Sequence, residues 1–358
     1  MNKQRIVWVD IAKYFCMIAV MAEHTAFLTD KLDAFFEPFY LNLFSFCAGY
    51  VYFHKDGFLR FFRKKVRQLL VPWFCFSLIV IFSSHIISFG EHTSLQDELI
   101  RNFLQIRYYG GEMWYISALF IAFLPFYFFI SRYEHSDSDP DRKTRLLIIL
   151  SFLLSLTSTS FSAYAPRNLF FWSHSDLPVT LPWHLEYMFQ AMFYMVLGYL
   201  FRIRWENSFD RLNGKRVCLF FWILYLFIDF LFPQWVGGLS RSVSLFYYYL
   251  KALSGISAFV SLSKLIPFNR YMDAVGRNTL IYYGLHGKAE SFLQHILWKI
   301  NADFFTWLQW GGSEWSALAA VLEALFISVL LIPVARIINR WFPFLAGKTK
   351  QQETMPVK

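Results

Sequence analysis

The sequence predicts an all-α, polytopic membrane protein of about ten transmembrane helices with both termini on the cytoplasmic side. Three observations carry this. Hydrophobic residues fill 56% of the 358 positions and charged residues only 16%, whereas a soluble domain is about 25% charged. Ten apolar segments approach the ~20 residues a helix needs to cross the hydrocarbon layer. Lysine and arginine also alternate in number from loop to loop, as the positive-inside rule requires.

In chain order the segments are 7–26, 34–54, 68–89, 113–131, 146–164, 181–201, 217–233, 245–265, 276–297 and 316–338. The seventh, CLFFWILYLFIDFLF, is short. The fourth opens on MWYIS, the fifth follows the polar turn HSDSDPDRK, and the ninth opens on GRNT. Of the 34 lysines and arginines, 25 fall at the termini and in the loops on one side, and 6 on the other. The remaining three, Lys13, Lys251 and Lys288, lie inside segments. This asymmetry places the rich side in the cytoplasm. It also accounts for the net charge of +9 without a nucleic-acid partner. One transmembrane domain is expected over 1–346, then a short cytoplasmic tail, 347–358, expected to be disordered. The first segment holds an acid and a base and lacks a small-residue cleavage site, so it is not read as a removable signal peptide. Cys16, Cys47, Cys75 and Cys218 lie in apolar runs without metal-ligand spacing. They are read as packed thiols, and no metal is expected.

Several polar residues inside the segments could carry chemistry. In RIVWVDIAKYFCMIAVMAEHTAFL, residues 5–28, Asp10, Lys13, Met17, Val20 and His24 share one stripe of a helix. Lys13 and His24 are ~16 Å apart along the axis. Such a stripe faces protein, water or a ligand, not lipid. Either Lys13 snorkels to the headgroups and His24 is an interfacial histidine, or the two are functional, with Asp10 paired to Lys13 and His24 as a general base. Glu23 sits ~100° round from His24.

The loop at 55–67 packs Arg63, Lys64, Lys65 and Arg67 with two further cations. It reads as an anchor for lipid phosphates or as a polyphosphate site for a ligand such as coenzyme A. Trp114 is an interface aromatic or a sugar-stacking residue. In GRNTLIYYGLHGKAESFL, Tyr282, His286 and Glu290 share a face. Glu290 is placed to orient His286 or take its proton, or the three form a buried packing network. Glu186, Asp229, Lys251 and Glu323 also lie in segments and are expected to face the interior.

Taken together, RIVWVDIAKYFCMIAVMAEHT, LFSFCAGYVY, VRQLLVPW, MWYISALF, LPWHLEYMFQAMFYMVLGYLF, LSGISAFVSLSKLI and VGRNTLIYYGLH resemble, in order, the acyltransferase-3 family of bacterial membrane proteins, in the branch similar to fucose 4-O-acetylase. The Lys13–His24 spacing is the family's basic residue, ten others, then histidine. Ala48 replaces the family's serine before Gly49, and Glu23 replaces the usual glycine before the histidine.

The resemblance implies a multi-pass protein of the bacterial cytoplasmic membrane that moves an acyl group, usually acetyl, from cytoplasmic acyl-CoA to a glycan hydroxyl at the outer face. It makes His24 the catalytic candidate and Lys13, with the Arg63–Lys64–Lys65–Arg67 cluster, the acyl-CoA contacts. From the residues alone, Trp114 and Glu23 are read as candidates for the acceptor. The acceptor is a cell-surface glycan or lipid-linked sugar. Two competing functions are a secondary transporter or glycan-precursor exporter, and a non-catalytic sensor or assembly partner. Against the transporter stands the lack of inverted repeats.

Overall fold

In the computed structural model the described residues are 6–86, 94–105, 113–165, 180–231, 241–310 and 314–348, and every element among them is helical. The tail expected to be disordered falls outside them from residue 349 on. In chain order the helices are α1 (Val7–His24), α2 (Asp30–Phe36), α3 (Tyr40–Tyr50), α4 (Phe58–Lys65), α5 (Val71–Ile86) and α6 (Leu95–Leu104). Next come α7 (Trp114–Glu134), α8 (Pro140–Tyr164), α9 (Met188–Leu200), α10 (Glu206–Asp210) and α11 (Gly214–Leu226). The last are α12 (Arg241–Leu265), α13 (Arg270–Arg277), α14 (Thr279–Ile300), α15 (Ala302–Trp310) and α16 (Glu314–Trp341).

Among the described residues, five helical stretches are long and apolar enough to cross a membrane: Phe58–Ser83, Trp114–Glu134, Pro140–Tyr164, Val243–Leu265 and Glu314–Trp341. The helix α1 has the length but carries Asp10, Lys13 and Glu23. No disulfide joins the four cysteines, and Cys16, Cys47 and Cys218 are buried.

Helix limits follow local chemistry. The Asp139 carboxylate caps α8 by accepting from the Asp141 and Arg142 amides at 3.1 and 2.9 Å, and Pro140 takes the first turn. That helix therefore starts inside the stretch expected to be a turn. Three expected segments are interrupted, the sixth by a turn at Pro182–Tyr187 described below. The ninth breaks at Asn278, whose side-chain amide donates to the Ala274 carbonyl at 2.7 Å. The second breaks at Pro38, between α2 and α3. Proline has no amide to give the Ala34 carbonyl four residues back. That oxygen accepts from the Lys251 ammonium instead, at 2.7 Å.

Two compact units divide the chain. One is built from the described parts of Met1–Phe44 and Asn207–Phe342, the other from those of Ser45–Glu206 and Pro343–Lys350.

In the first unit α1 is nearly surrounded. Its backbone lies against α13, where a Cβ on Gly276 would overlap the Asp10 carbonyl. Tyr14 meets Tyr271 edge-on at 5.3 Å, and Phe15 meets Phe259 of α12 at 5.5 Å. At the start of α1, the Lys264 ammonium stands 5.3 Å from the centre of the Trp8 ring and pairs with Asp210 at 2.8 Å. Deeper in the unit, Lys251 forms a buried ion pair with Asp229.

In the second unit α7 and α9 run parallel, with α8 antiparallel to both. At one end the Tyr199 hydroxyl bonds Glu134, and Tyr133 meets Thr144 at 3.2 Å. At the other end Trp114 meets His184, and Ser158 bonds the Glu186 carbonyl. Gly49 and Gly198 bring α3 and α9 into backbone contact, since a Cβ on either would strike the Met195 or the Phe46 carbonyl. The Pro72 ring denies an amide to the Gln68 carbonyl, and the ladder widens to a π turn over Val66–Leu70.

Replacing Lys251 with methionine strands the Asp229 carboxylate and is expected to cost ~3–5 kcal/mol, whereas Lys251→Met with Asp229→Leu should recover much of the loss. Thermal melts in detergent check this. Equal stability of the single variant and the wild type would show that the pair contributes nothing.

Candidate functional site

The site candidates of the first unit sit along α1 and α14. Asp10 and Lys13 are paired at 3.6 Å, with their side chains 13% and 25% exposed. Eleven residues on from Lys13, at the last position of α1, is His24. Its Nδ1 is 2.8 Å from the Val20 carbonyl, which can only accept. This hydrogen bond puts a proton on Nδ1 and leaves Nε2 of the neutral ring as an acceptor. The side chain is exposed.

Edge-on to His24, with ring centres 5.0 Å apart and planes at 89°, is His286 of α14. It is buried, and its Nδ1 donates to the Tyr283 carbonyl at 2.9 Å. Its Nε2 has no hydrogen-bond partner among the described residues. The orienting bond expected from Glu290 thus comes from a backbone carbonyl one turn back. Glu290 is buried on the same face one turn further on. Tyr282 donates to the Ser328 carbonyl at 3.0 Å and ties α14 to α16. Glu23 turns away from the imidazoles. Its carboxylate accepts from the Tyr40 hydroxyl and lies beside Asp33 and Glu37. Structure therefore brings together His24 and His286, and Asp10 and Lys13, but sets Glu23 in a separate cluster.

The remaining candidates belong to the second unit. Arg63, Lys64 and Arg67 are exposed at the end of α4 and in the π turn. The Lys64 ammonium pairs with Asp56 at 3.8 Å. Lys65 is half-buried, its ammonium 3.4 Å from the centre of the Phe123 ring. That contact commits one of the four cations to an aromatic face. Trp114 is half-buried at the start of α7, ~30 Å along that helix from Glu134.

Beside Trp114 lies a pair that helical spacing does not anticipate. His184 Nδ1 meets Glu186 Oε1 at 2.9 Å, and both side chains are buried. Residues two apart point to different sides of an α-helix. They meet here because the stretch Pro182–Tyr187 is a 3₁₀ turn with Trp183 and His184 in the left-handed region. Its one sequence signal is Pro182 ahead of a run of aromatic and titratable residues.

An all-helical, multi-pass membrane protein with polar groups gathered at defined points of its helices is the class these features define. The chain belongs to the acyltransferase-3 family: the family profile, described as an acyltransferase domain, matches residues 6–340. It is therefore a membrane acyltransferase in general terms. Neither the curated proteins nor the solved structures return a match.

Exposure separates the histidines. Diethylpyrocarbonate should modify His24 at least tenfold faster than His286 or His184, read by peptide mass mapping over time. Equal rates would contradict the burial of the latter two.

Proposed function

We propose that the chain is an O-acyltransferase of the bacterial cytoplasmic membrane, of the fucose 4-O-acetylase-like branch. It moves an acetyl or other short acyl group from cytoplasmic acyl-CoA to a hydroxyl of a cell-surface polysaccharide or lipid-linked sugar. The reading takes ten membrane-crossing helices, both termini cytoplasmic, and no metal. Its support is membership of the family, joined to one observation in the first unit. The Val20 carbonyl holds His24 with its Nε2 as acceptor, edge-on to His286.

In this reading His24 Nε2 takes the proton of the acceptor hydroxyl as the oxygen attacks the thioester carbonyl. The carbon–sulfur bond breaks, and the departing thiolate takes the proton back from the imidazolium. Bases of this kind contribute about 10²–10⁴-fold. His286 backs the His24 ring, Glu290 lies one turn further along the same face as the acid of that helix, and Asp10 orients Lys13. Candidate contacts for the phosphates of acyl-CoA are Lys13 in the first unit and, separately, Arg63, Lys64, Lys65 and Arg67 in the second. His24 lies ~16 Å beyond Lys13 along α1, within reach of an extended pantetheine arm. Candidate acceptor contacts are Glu23 in the first unit and, separately, Trp114 in the second.

Purified protein in lipid, given acetyl-CoA and a crude extract of surface glycans, should release free thiol in proportion to glycan. His24→Ala should lose at least a hundredfold of that rate, and Lys13→Met should raise the KM for acetyl-CoA. His24→Ala turnover near that of the wild type would sink the role of His24. No release from folded wild type across several acyl-CoAs and glycan pools would favour a transporter.

A further inference from the structure

The reading above leaves unused a buried titratable pair of the second unit, His184 with Glu186, at the end marked by Trp114. Trp183 (φ 58°, ψ 19°) and His184 (φ 54°, ψ 44°) are successive non-glycine residues in the left-handed region. Such a conformation is unfavourable for a residue with a side chain, and the surrounding fold must offset it. The turn is fixed on several sides. Glu186 Oε2 accepts from the Leu181 amide at 2.7 Å, and the Glu186 carbonyl accepts from the Ser158 hydroxyl. The Trp183 indole donates to the Phe103 carbonyl at 3.0 Å.

This bracing turns His184 inward, where it is 1% exposed, with the Glu186 carboxylate on Nδ1. A carboxylate there keeps a proton on Nδ1 and presents the other nitrogen. That other nitrogen, Nε2, is buried with no hydrogen-bond partner among the described residues. A buried polar atom left so is costly, and a ligand group that meets it removes that cost. The Trp114 indole, half-buried, has its ring centre 4.5 Å from that of His184, at 47°. A strained turn that holds an imidazole with one nitrogen tied and the other open, beside a partly exposed indole, has the parts of a ligand site: a flat apolar face and one directed polar atom.

The polar partner can be specified. Neutral Nε2 only accepts a hydrogen bond, and protonated Nε2 only donates one. A hydroxyl satisfies it in either state. The cations Lys64 and Lys65 are associated with Asp56 and Phe123, and Arg202 with the Tyr50 carbonyl.

We propose that His184, oriented by Glu186, binds a hydroxyl of a pyranose acceptor whose ring packs on Trp114. This rests on the acyltransferase reading only in calling the sugar an acceptor. His184 is here a substrate-binding residue and Glu186 a positioning residue.

The test uses the full chain in lipid nanodiscs with a panel of methyl and octyl hexopyranosides. Two quantities are read: pyranoside binding by saturation-transfer NMR without acyl-CoA, and the separate KM values for pyranoside and acetyl-CoA. His184→Asn and His184→Gly suit the left-handed backbone, so both should fold. Expected are at least tenfold weaker pyranoside binding in both, and in Trp114→Ala, with the acetyl-CoA KM within twofold of wild type. Glu186→Gln, which keeps an acceptor for the Leu181 amide, should weaken binding less. Should both His184 variants fail to fold, Trp114→Phe and Glu186→Gln carry the same comparison.

Unchanged pyranoside binding in the folded variants would overturn the proposal, as would a wild type that binds no member of the panel. A wild type that binds through His184 but transfers from no acyl-CoA would keep the site and sink the acyltransferase reading. Transfer that is indifferent to His184 would sink the site alone.

Discussion

Gly276 is where the first unit is decided. The backbone of α1 can lie on α13 only because position 276 has no side chain to strike the Asp10 carbonyl. Contact that close sets how α1 stands against the chain from Arg270 onward. Tyr14 then finds Tyr271, and further along His24 finds His286. Both rings are held by backbone carbonyls of their own helices, from Val20 and from Tyr283. Their meeting is thus a property of two helix backbones in fixed register more than of flexible side chains.

A second constraint is the lack of water to satisfy polar groups among apolar helices. Each helix break creates a carbonyl that needs a donor. Pro38 frees the Ala34 carbonyl, and Lys251 fills it while pairing with Asp229. The Phe35 carbonyl, one residue on, takes the Tyr225 hydroxyl. One proline thereby accounts for charged and hydroxyl groups on two other helices, α11 with its π-helical continuation and α12, that would otherwise be costly to bury. The same principle gives His184 its interest, since there one buried nitrogen has no hydrogen-bond partner among the described residues.

What could be read in advance followed the helical repeat. The polar stripe of α1, the spacing from Lys13 to His24, and the Asp10–Lys13 pair all come from 3.6 residues per turn, and α1 does form over that stretch. The repeat also put Tyr282, His286 and Glu290 on one face. A helical wheel assigns faces, not bonds, so it could not tell that His286 would take the Tyr283 carbonyl instead of Glu290. It was silent on Asn278, which competes for a backbone carbonyl and divides α13 from α14. Nor could it find His184 with Glu186, because their meeting depends on two left-handed residues that no periodicity encodes. The meeting of His24 with His286 needed the fold, as the two lie 262 positions apart in the chain.

The π turn before Pro72 has a further consequence. Past α16 the chain returns to this turn, with Pro343 and Leu345 buried and Gly347, at φ 66°, pressed so close to the Gln68 carbonyl that no side chain fits. The segment Pro343–Ala346 acts as a clasp over the widened helix that carries Arg67 at its exposed edge and leads back to Arg63 and Lys64. Residues almost three hundred positions downstream thereby help set the spacing of that row of positive charge. A deletion or fusion joint placed ahead of Pro343 would loosen the row without touching a single cation.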